Sequence, residues 1–499
     1  MADMTAFTWM IALPLLAAPV IYLIGRLVRP DGEALTRWAA LVMLGLTWIP
    51  FAIAASDLNA DGVQTYTLGT ASLRLDDLGL LLAALSLGLG TIVVFYSGPY
   101  MAADDGQEKY YASLVAMVGV MMGLGCAADL FNLWVWFEAM AIASYLLVAF
   151  YHEQPTSLEA GVKYLVQSAV GSVFVLLGIA LVLSQTGTLD LTEIRAAAPE
   201  SSIPLLAAGG LFLIGFGVKA ALVPMHTWLP DAHSQAPSGI SAMLSGVVIE
   251  AGLVALLRVL SALVGIGASW GELLMVFGAF NMLIGNLMAL RQTQVKRLLA
   301  YSSLSHVGYM LLGLGIAFYA QQAAGAEGGF FHMLTHGMMK GLAFLAAGAL
   351  LYALHASMGD HGPLTISDLS GAAQKYPWAA LGLSVAVLGL AGLPPLAGFM
   401  SKWQIFVAGF ETKNEWIEAL VVFAALNSVL SLAYYAPLVN ALYRQKPSDA
   451  VLAGGPLPSL MNVPLAVLGV AIVAVGVWPS LLDWLSGPAG RALIASFGF

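Results

Sequence analysis

Runs of about twenty apolar residues recur along this chain, and that repeat leaves few folds open. Each run is long enough to cross a hydrocarbon layer of about 30 Å as a helix. Hydrocarbon offers backbone N–H and C=O groups no partner, so only helices and closed barrels span it. A barrel reads as weak, alternating ten-residue segments, and this chain does not. Only 9% of its 499 residues are charged and 60% are hydrophobic, where a soluble chain carries about a quarter charged residues.

The expected fold is an all-α polytopic membrane protein with about fourteen transmembrane helices in one membrane domain. The fourteen runs lie at about 7–27, 34–55, 77–99, 110–128, 130–151, 159–184, 203–228, 239–265, 270–290, 297–319, 328–354, 377–409, 417–443 and 462–485. The first reads as an ordinary span, not a cleavable signal. Two runs are interrupted. The seventh holds Lys219 and then Pro224; the twelfth holds Gly392-Leu393-Pro394-Pro395 and then Lys402. Proline removes a backbone donor and breaks or kinks a membrane helix. Breaks in matching positions of two halves suggest inverted repeats. The breaks lie five spans apart, which fits two five-helix units, spans 4–8 (about 110–265) and 9–13 (about 270–443).

Charge excludes some functions and orients the chain. The net charge of −9 argues against a nucleic-acid partner. Cys126 is the single cysteine, so an internal disulfide, an iron–sulfur cluster or a Cys-zinc site is excluded. Loops after odd-numbered spans hold eleven Lys and Arg residues, from Arg26 and Arg29 to Lys446; the opposite loops hold five: Arg74, Arg195, Arg258, Lys413 and Arg491. That asymmetry puts the odd loops in the cytoplasm and both termini outside. Residues 62–75 alternate in character and suggest an external hairpin.

Five ionisable residues lie inside apolar runs: Glu138, Lys219, Glu250, Lys340 and Lys402. Each costs roughly 2.5–3.5 kcal/mol at the bilayer centre, and such residues usually pair and mark an ion path. Glu138 and Lys219 suit a switchable pair: apart, burial favours neutral groups, and together both charges are favoured. The plainer alternative is a static ion pair that holds helices together. His332, His336 and Lys340 recur every fourth residue and line one helix face over about 12 Å. Histidine titrates nearest neutrality, so the column suits stepwise proton transfer. Metal binding is disfavoured, because no local carboxylate or cysteine completes a ligand set. Lys402 follows the second break, where freed backbone groups can line a wet cavity. Glu250 sits well inside its run, as a neutral acid or a relay carboxylate. The stretches His226–Pro237 and Val295–His306 look like polar entrances, although a loop cap explains His226, Asp231 and His233 equally well.

Those two stretches, with Lys296-Arg297-Leu298-Leu299-Ala300-Tyr301-Ser302-Ser303, carry a family resemblance. The chain resembles the antiporter-like subunits shared by Mrp cation/proton antiporters, respiratory complex I and membrane-bound hydrogenases. Asp129–Asn132 leading to Glu138 is most similar to the D-type Mrp antiporter subunits. His332–Lys340 is more similar to the distal complex I subunit. The resemblance implies fourteen helices with two inverted five-helix repeats, a Glu138–Lys219 pair, a polar axis through His332, His336 and Lys340, and an exit lysine at Lys402. It also implies a prokaryotic cell membrane and companion membrane subunits; from the residues themselves no cofactor or metal is expected, since their ligands are absent. Glu250 departs from the family, which usually has lysine or histidine there; a carboxylate could pair with Lys219 or Lys340, or ligate Na⁺.

The expected function is translocation of protons, with Na⁺ or K⁺ as a second ion, by one subunit of a larger complex. Protons would enter near the seventh-span break, pass Lys219 and Glu250, reach the histidines and leave by Lys402. Mrp-type antiport is the main expectation, and a proton-pumping subunit of complex I or a hydrogenase is the alternative. Rivals of other classes are a quinone-binding redox subunit and a structural scaffold.

Overall fold

A computed structural model of the chain describes residues 5–28, 32–69, 71–198, 202–266, 269–355, 362–444 and 446–495. Arg29 lies outside the described residues. The chain is a multi-pass helical protein, as its apolar runs require. Its helices are α1 (Ala6–Leu27), α2 (Gly32–Asp61), α3 (Asp77–Tyr100), α4 (Gln107–Gly125), α5 (Leu130–Val148), α6 (Pro155–Thr186), α7 (Leu191–Ala197), α8 (Ile203–Lys219), α9 (Trp228–Gln235) and α10 (Ser238–Met243). There follow α11 (Ile249–Ala262), α12 (Trp270–Ala289), α13 (Val295–Ala320), α14 (Ala323–Leu354), α15 (Pro377–Ala391), α16 (Ala397–Glu411), α17 (Glu415–Arg444), α18 (Asp449–Ala453), α19 (Asn462–Val477) and α20 (Ser480–Ala495). Among the described residues, eleven segments are helical, long and apolar enough to cross a membrane, and α8 and α15 are shorter apolar helices. The run expected at 462–485 ends at Val477, and a separate helix follows.

A turn of π-helix, Leu244–Val248, joins α10 to α11. Together they form a wholly buried span, and α13 and α14 are nearly as enclosed. These helices make the centre of the protein. At the periphery, α2, α6 and α17 turn Val42, Ile49, Val166, Val173, Leu426 and Val429 outward. An apolar surface of that extent belongs in lipid or against other subunits. The alternating stretch forms a hairpin, β1 (Gln64–Leu68) and β2 (Ala71–Leu75), paired antiparallel from Gln64↔Leu75 to Leu68↔Ala71.

Both expected breaks are present. Helix α8 stops at Lys219, Ala221 takes a left-handed φ of 55°, and the Val223–Pro224 bond is cis before α9 begins. Helix α15 stops at Ala391, Gly392 has φ 85°, and Pro394–Pro395 is cis before α16. Glycine suits the second break twice over. It adopts the positive φ readily, and a Cβ there would lie only 3.2 Å from both Lys402 Cδ and Ser428 Oγ.

Candidate functional site: a buried polar axis

Broken helices release backbone groups that something must satisfy. At the first break, Asn281 of α12 accepts from Val223 N at 2.8 Å and donates to Ala221 O at 3.1 Å. The Trp228 indole donates to Val218 O at 2.8 Å. These three backbone groups are satisfied without the Lys219 ammonium. That lysine is fully buried, and its Nζ donates to the Tyr164 hydroxyl of α6 at 2.7 Å. The ammonium also lies 4.5 Å from the Tyr164 ring and 5.9 Å from the Phe137 ring. The expected Glu138–Lys219 ion pair is not formed. Aromatic faces and a phenol hold the lysine instead, and Glu138 acts on it only through space. Glu138 is half-buried on α5, with Oε1 enclosed and lacking a hydrogen bond.

Helix α11 approaches closely because Gly252 has no side chain; a Cβ there would lie 2.9 Å from Lys219 Cβ. Glu250, two residues earlier, is fully buried. Its partner is neither of the lysines expected: Oε1 lies 2.7 Å from Nδ1 of His336. The reason is local. Nζ of Lys340 donates to Leu299 O at 2.7 Å and to the Ser302 hydroxyl, both on α13, so it turns away from α11.

The histidine column exists and is longer than its own helix. His332 Nε2 lies 3.1 Å from Nδ1 of His306 on α13, and His332 Nδ1 lies 2.8 Å from the Ser401 hydroxyl of α16. The His306 ring is centred 5.2 Å from those of both His332 and His336. Ser401 immediately precedes Lys402. That lysine is buried, not snorkelling, and its Nζ donates to Leu390 O and to the Ser428 hydroxyl, each at 2.8 Å. It also lies 4.5 Å from the Tyr309 ring. Lys219, Glu250, His336, His306, His332, Ser401 and Lys402 thus form a discontinuous polar axis through a bundle of buried apolar side chains.

The suspected entrances divide into two kinds of residue. Asp231 joins α9 to two neighbours, at 3.0 Å from Lys163 Nζ and 2.5 Å from Arg297 Nη1. His226 is half-buried. His233 is fully buried, stacked on Phe344 at 4.6 Å, with no hydrogen bond to either ring nitrogen. Two cations assigned to loops prove to be inside. Lys296 is buried in the first turn of α13, donating to Ala236 O at 2.5 Å. Arg258 is buried in α11 and paired with Asp76 at 2.7 Å. Lys296 lies one residue before the run expected at 297–319, whereas Arg258 lies well inside the run expected at 239–265. Tyr164, Asn281 and Ser428 were missed because hydroxyl and amide side chains in apolar runs give no charge signal.

The transmembrane model of the NADH:quinone oxidoreductase/Mrp antiporter family matches residues 127–431, which contain the whole axis. The chain belongs to this family. Subunit N of the F420H2 dehydrogenase of Methanosarcina mazei is 33% identical over 491 residues, covering 95% of this chain and 96% of that protein. The NADH-quinone oxidoreductase subunit N of Chloroflexus aggregans is 32% identical over 478 residues, covering 93% and 92%. Among solved structures, a chain of an archaeal membrane-bound sulfane sulfur reductase superposes with a TM-score of 0.86 at 26% identity, covering 98% of both chains. A chain of Thermus thermophilus respiratory complex I gives 0.77 at 28% identity, covering 96% of this chain and 99% of that one.

Proposed function

We propose that this chain is a proton-translocating subunit of a larger membrane complex, of the kind that couples a redox reaction to ion movement. The observation that carries the reading is the buried axis, in which titratable groups from α8, α11, α13, α14 and α16 converge. Histidines in direct contact, His306 with His332 at 3.1 Å, can pass a proton by exchanging tautomers. Intervening water bridges the remaining intervals. Lys219 and Glu250 load the histidines from one side, and Lys402 takes the proton at the other. Lys340 biases the column electrostatically and exchanges protons with it. Glu138 acts on Lys219 without touching it, so a small movement of α5 changes the proton affinity of Lys219.

The chain has the architecture of two five-helix units, residues 110–265 and 270–443, with both termini on the extracytoplasmic side. Its partners are other membrane subunits, which supply the driving energy. The relatives bear the names of a dehydrogenase and an oxidoreductase subunit N, which favours a redox-linked assembly over Mrp-type antiport. The test is proton uptake by sealed inverted vesicles containing the whole complex. Lys340→Arg keeps a positive charge but cannot release a proton, so uptake should fall at least about tenfold with assembly intact. Full uptake in that variant makes Lys340 an electrostatic post only; full uptake in Lys219→Met as well removes the relay.

A further inference from the structure

Helix α12 gives the axis no titratable group, yet it is tied to both helix breaks, directly to the first and through α17 to the second. It turns Val276, Phe280 and Leu287 outward and buries two amides, Asn281 and Asn286. An amide side chain in an apolar span is costly unless its polar atoms are paired. Asn281 serves the first break, accepting from Val223 N at 2.8 Å and donating to Ala221 O at 3.1 Å. Asn286 lies about 7.5 Å further along the helix. Its Nδ2 donates to Asn427 O at 2.9 Å and its Oδ1 accepts from the Tyr434 hydroxyl at 2.9 Å, both on α17. Asn427 immediately precedes Ser428. The Ser428 hydroxyl accepts from Lys402 Nζ at 2.8 Å and donates to Ala391 O at 2.9 Å, which fixes the second break. Hydrogen bonds and two helices thus connect Val223 to Lys402 without a gap. The route is stiff. No proline or turn interrupts α12 between the two amides. Beside Asn286, a Cβ on Gly285 would lie 2.6 Å from Ser305 N, so α12 packs backbone to backbone on α13 next to His306.

We propose that α12 is a strut coupling the two breaks. Asn281 and Asn286 are positioning residues, through which movement at the first break resets the surroundings of Lys402. Both are uncharged amides, so what they transmit is displacement and not a proton. A close-packed interior has little slack to absorb such a displacement. A shift of Ala221–Pro224 therefore moves Asn281, and with it α12, Asn427 and the Ser428 hydroxyl. The consequence for proton uptake rests on the transport reading; the coupling itself does not.

The test is amide hydrogen exchange of the whole purified complex, read by mass spectrometry on peptides covering residues 218–226 and 388–397. The amides of Gly392, Leu393 and Leu396 are bonded to Gly389 O, Leu388 O and Leu393 O, so their exchange reports opening of the second break. Asn281→Leu should speed exchange at both breaks, by at least about threefold at the distant one. Asn286→Leu should speed it at the second break alone. With the strut cut, the double variant should exchange no faster at the second break than Asn286→Leu does. Asn281→Gln keeps a donor and an acceptor and should slow exchange again at both breaks together. Should Asn286→Leu fail to assemble, Asn286→Ser, too short to reach Asn427, replaces it. A second break unchanged in Asn281→Leu overturns the proposal, and so does faster exchange spread equally to α1. Effects that multiply in the double variant also overturn it, and transfer the coupling to Tyr309 of α13, which donates to Ala424 O at 3.0 Å. Asn286→Leu should also lower proton uptake about fivefold, although every titratable group of the axis remains. A parent complex without uptake would reject the transport reading and leave the exchange result to decide the strut.

Discussion

The two helix breaks place a buried lysine in similar surroundings and use it differently. Lys219 and Lys402 each lie 4.5 Å from a tyrosine ring. At the first break, Asn281 and Trp228 cap the released backbone, and Lys219 bonds to the Tyr164 hydroxyl alone. At the second, the lysine is itself the cap, donating to Leu390 O while Ser428 takes Ala391 O. A hydroxyl can donate or accept, so the Tyr164 bond survives whether Lys219 is an ammonium or a neutral amine. A carbonyl only accepts, which ties Lys402 to the backbone in either state. The first break separates proton handling from architecture, and the second combines them.

Removing each lysine should break the comparison or prove it, with the largest effects expected here. Lys219→Met should lower proton uptake by the assembled complex more than about tenfold, with almost no change in thermal midpoint. Lys402→Met should lower uptake comparably and also lower the midpoint by a few degrees. Leu390 O is then left buried without its donor, at about 1–3 kcal/mol. Equal midpoints for both variants would end the distinction between a carrier and a carrier that also caps.

Glu250 joins the two regions, because it sits on α11 beside the first break and meets His336 of α14 at 2.7 Å. Glu250→Lys introduces the residue type usual in the family, yet sets a cation against His336 in a low-dielectric interior. Like charges there repel strongly, so uptake should drop severalfold or more. Glu250→Gln keeps an acceptor for His336 and should lose less, about two- to fivefold, if the pair carries protons by hydrogen bonding alone. Uptake measured across pH and Na⁺ concentration separates the cases. A lysine variant that matches the parent under every condition takes Glu250 off the path.

Smaller changes sharpen the same contrast. Tyr164→Phe removes the hydroxyl bonded to Lys219 and should slow uptake severalfold, with the stacked ring on Trp228, at 3.9 Å, still in place. Ser428→Ala should slow it only about twofold, because Leu390 O still holds Lys402. The reverse order would mean that the second break, not the first, governs the rate.

Much of this was legible in the sequence for one physical reason: charge in hydrocarbon is expensive. That alone picked out Lys219, Glu250, Lys340 and Lys402, and prolines with glycine located both breaks. Partner identity was not legible, because pairing depends on the direction a helix face takes after packing. Glu250 met a histidine, and Lys219 met a phenol instead of Glu138. Lys296 was misplaced because helix ends cannot be read to within a few residues; Arg258 falls inside its expected run, and its burial comes from the pairing with Asp76 that only packing reveals. The hairpin at 64–75 was visible only as a weak alternation, since a two-stranded ribbon needs little apolar pattern.

The smallest expected effect tests what holds the first break in place. Asp231 ties α9 to Lys163 of α6 and Arg297 of α13, and all three side chains are partly exposed. Exposed pairs contribute little, and salt screens them, so Asp231→Asn should lower the midpoint by no more than a degree or two. The same variant loosens the segment that carries Trp228, the indole that caps Val218 and stacks on Tyr164. If the first break works by holding Tyr164 against Lys219, uptake should fall by up to about twofold, more than the loss of stability explains. Uptake by the parent should also fall at high salt, as the Asp231 pairs are screened there too. An Asn variant with unchanged uptake and unchanged salt response would show that apolar packing around Trp228 and Leu229 suffices to position the site.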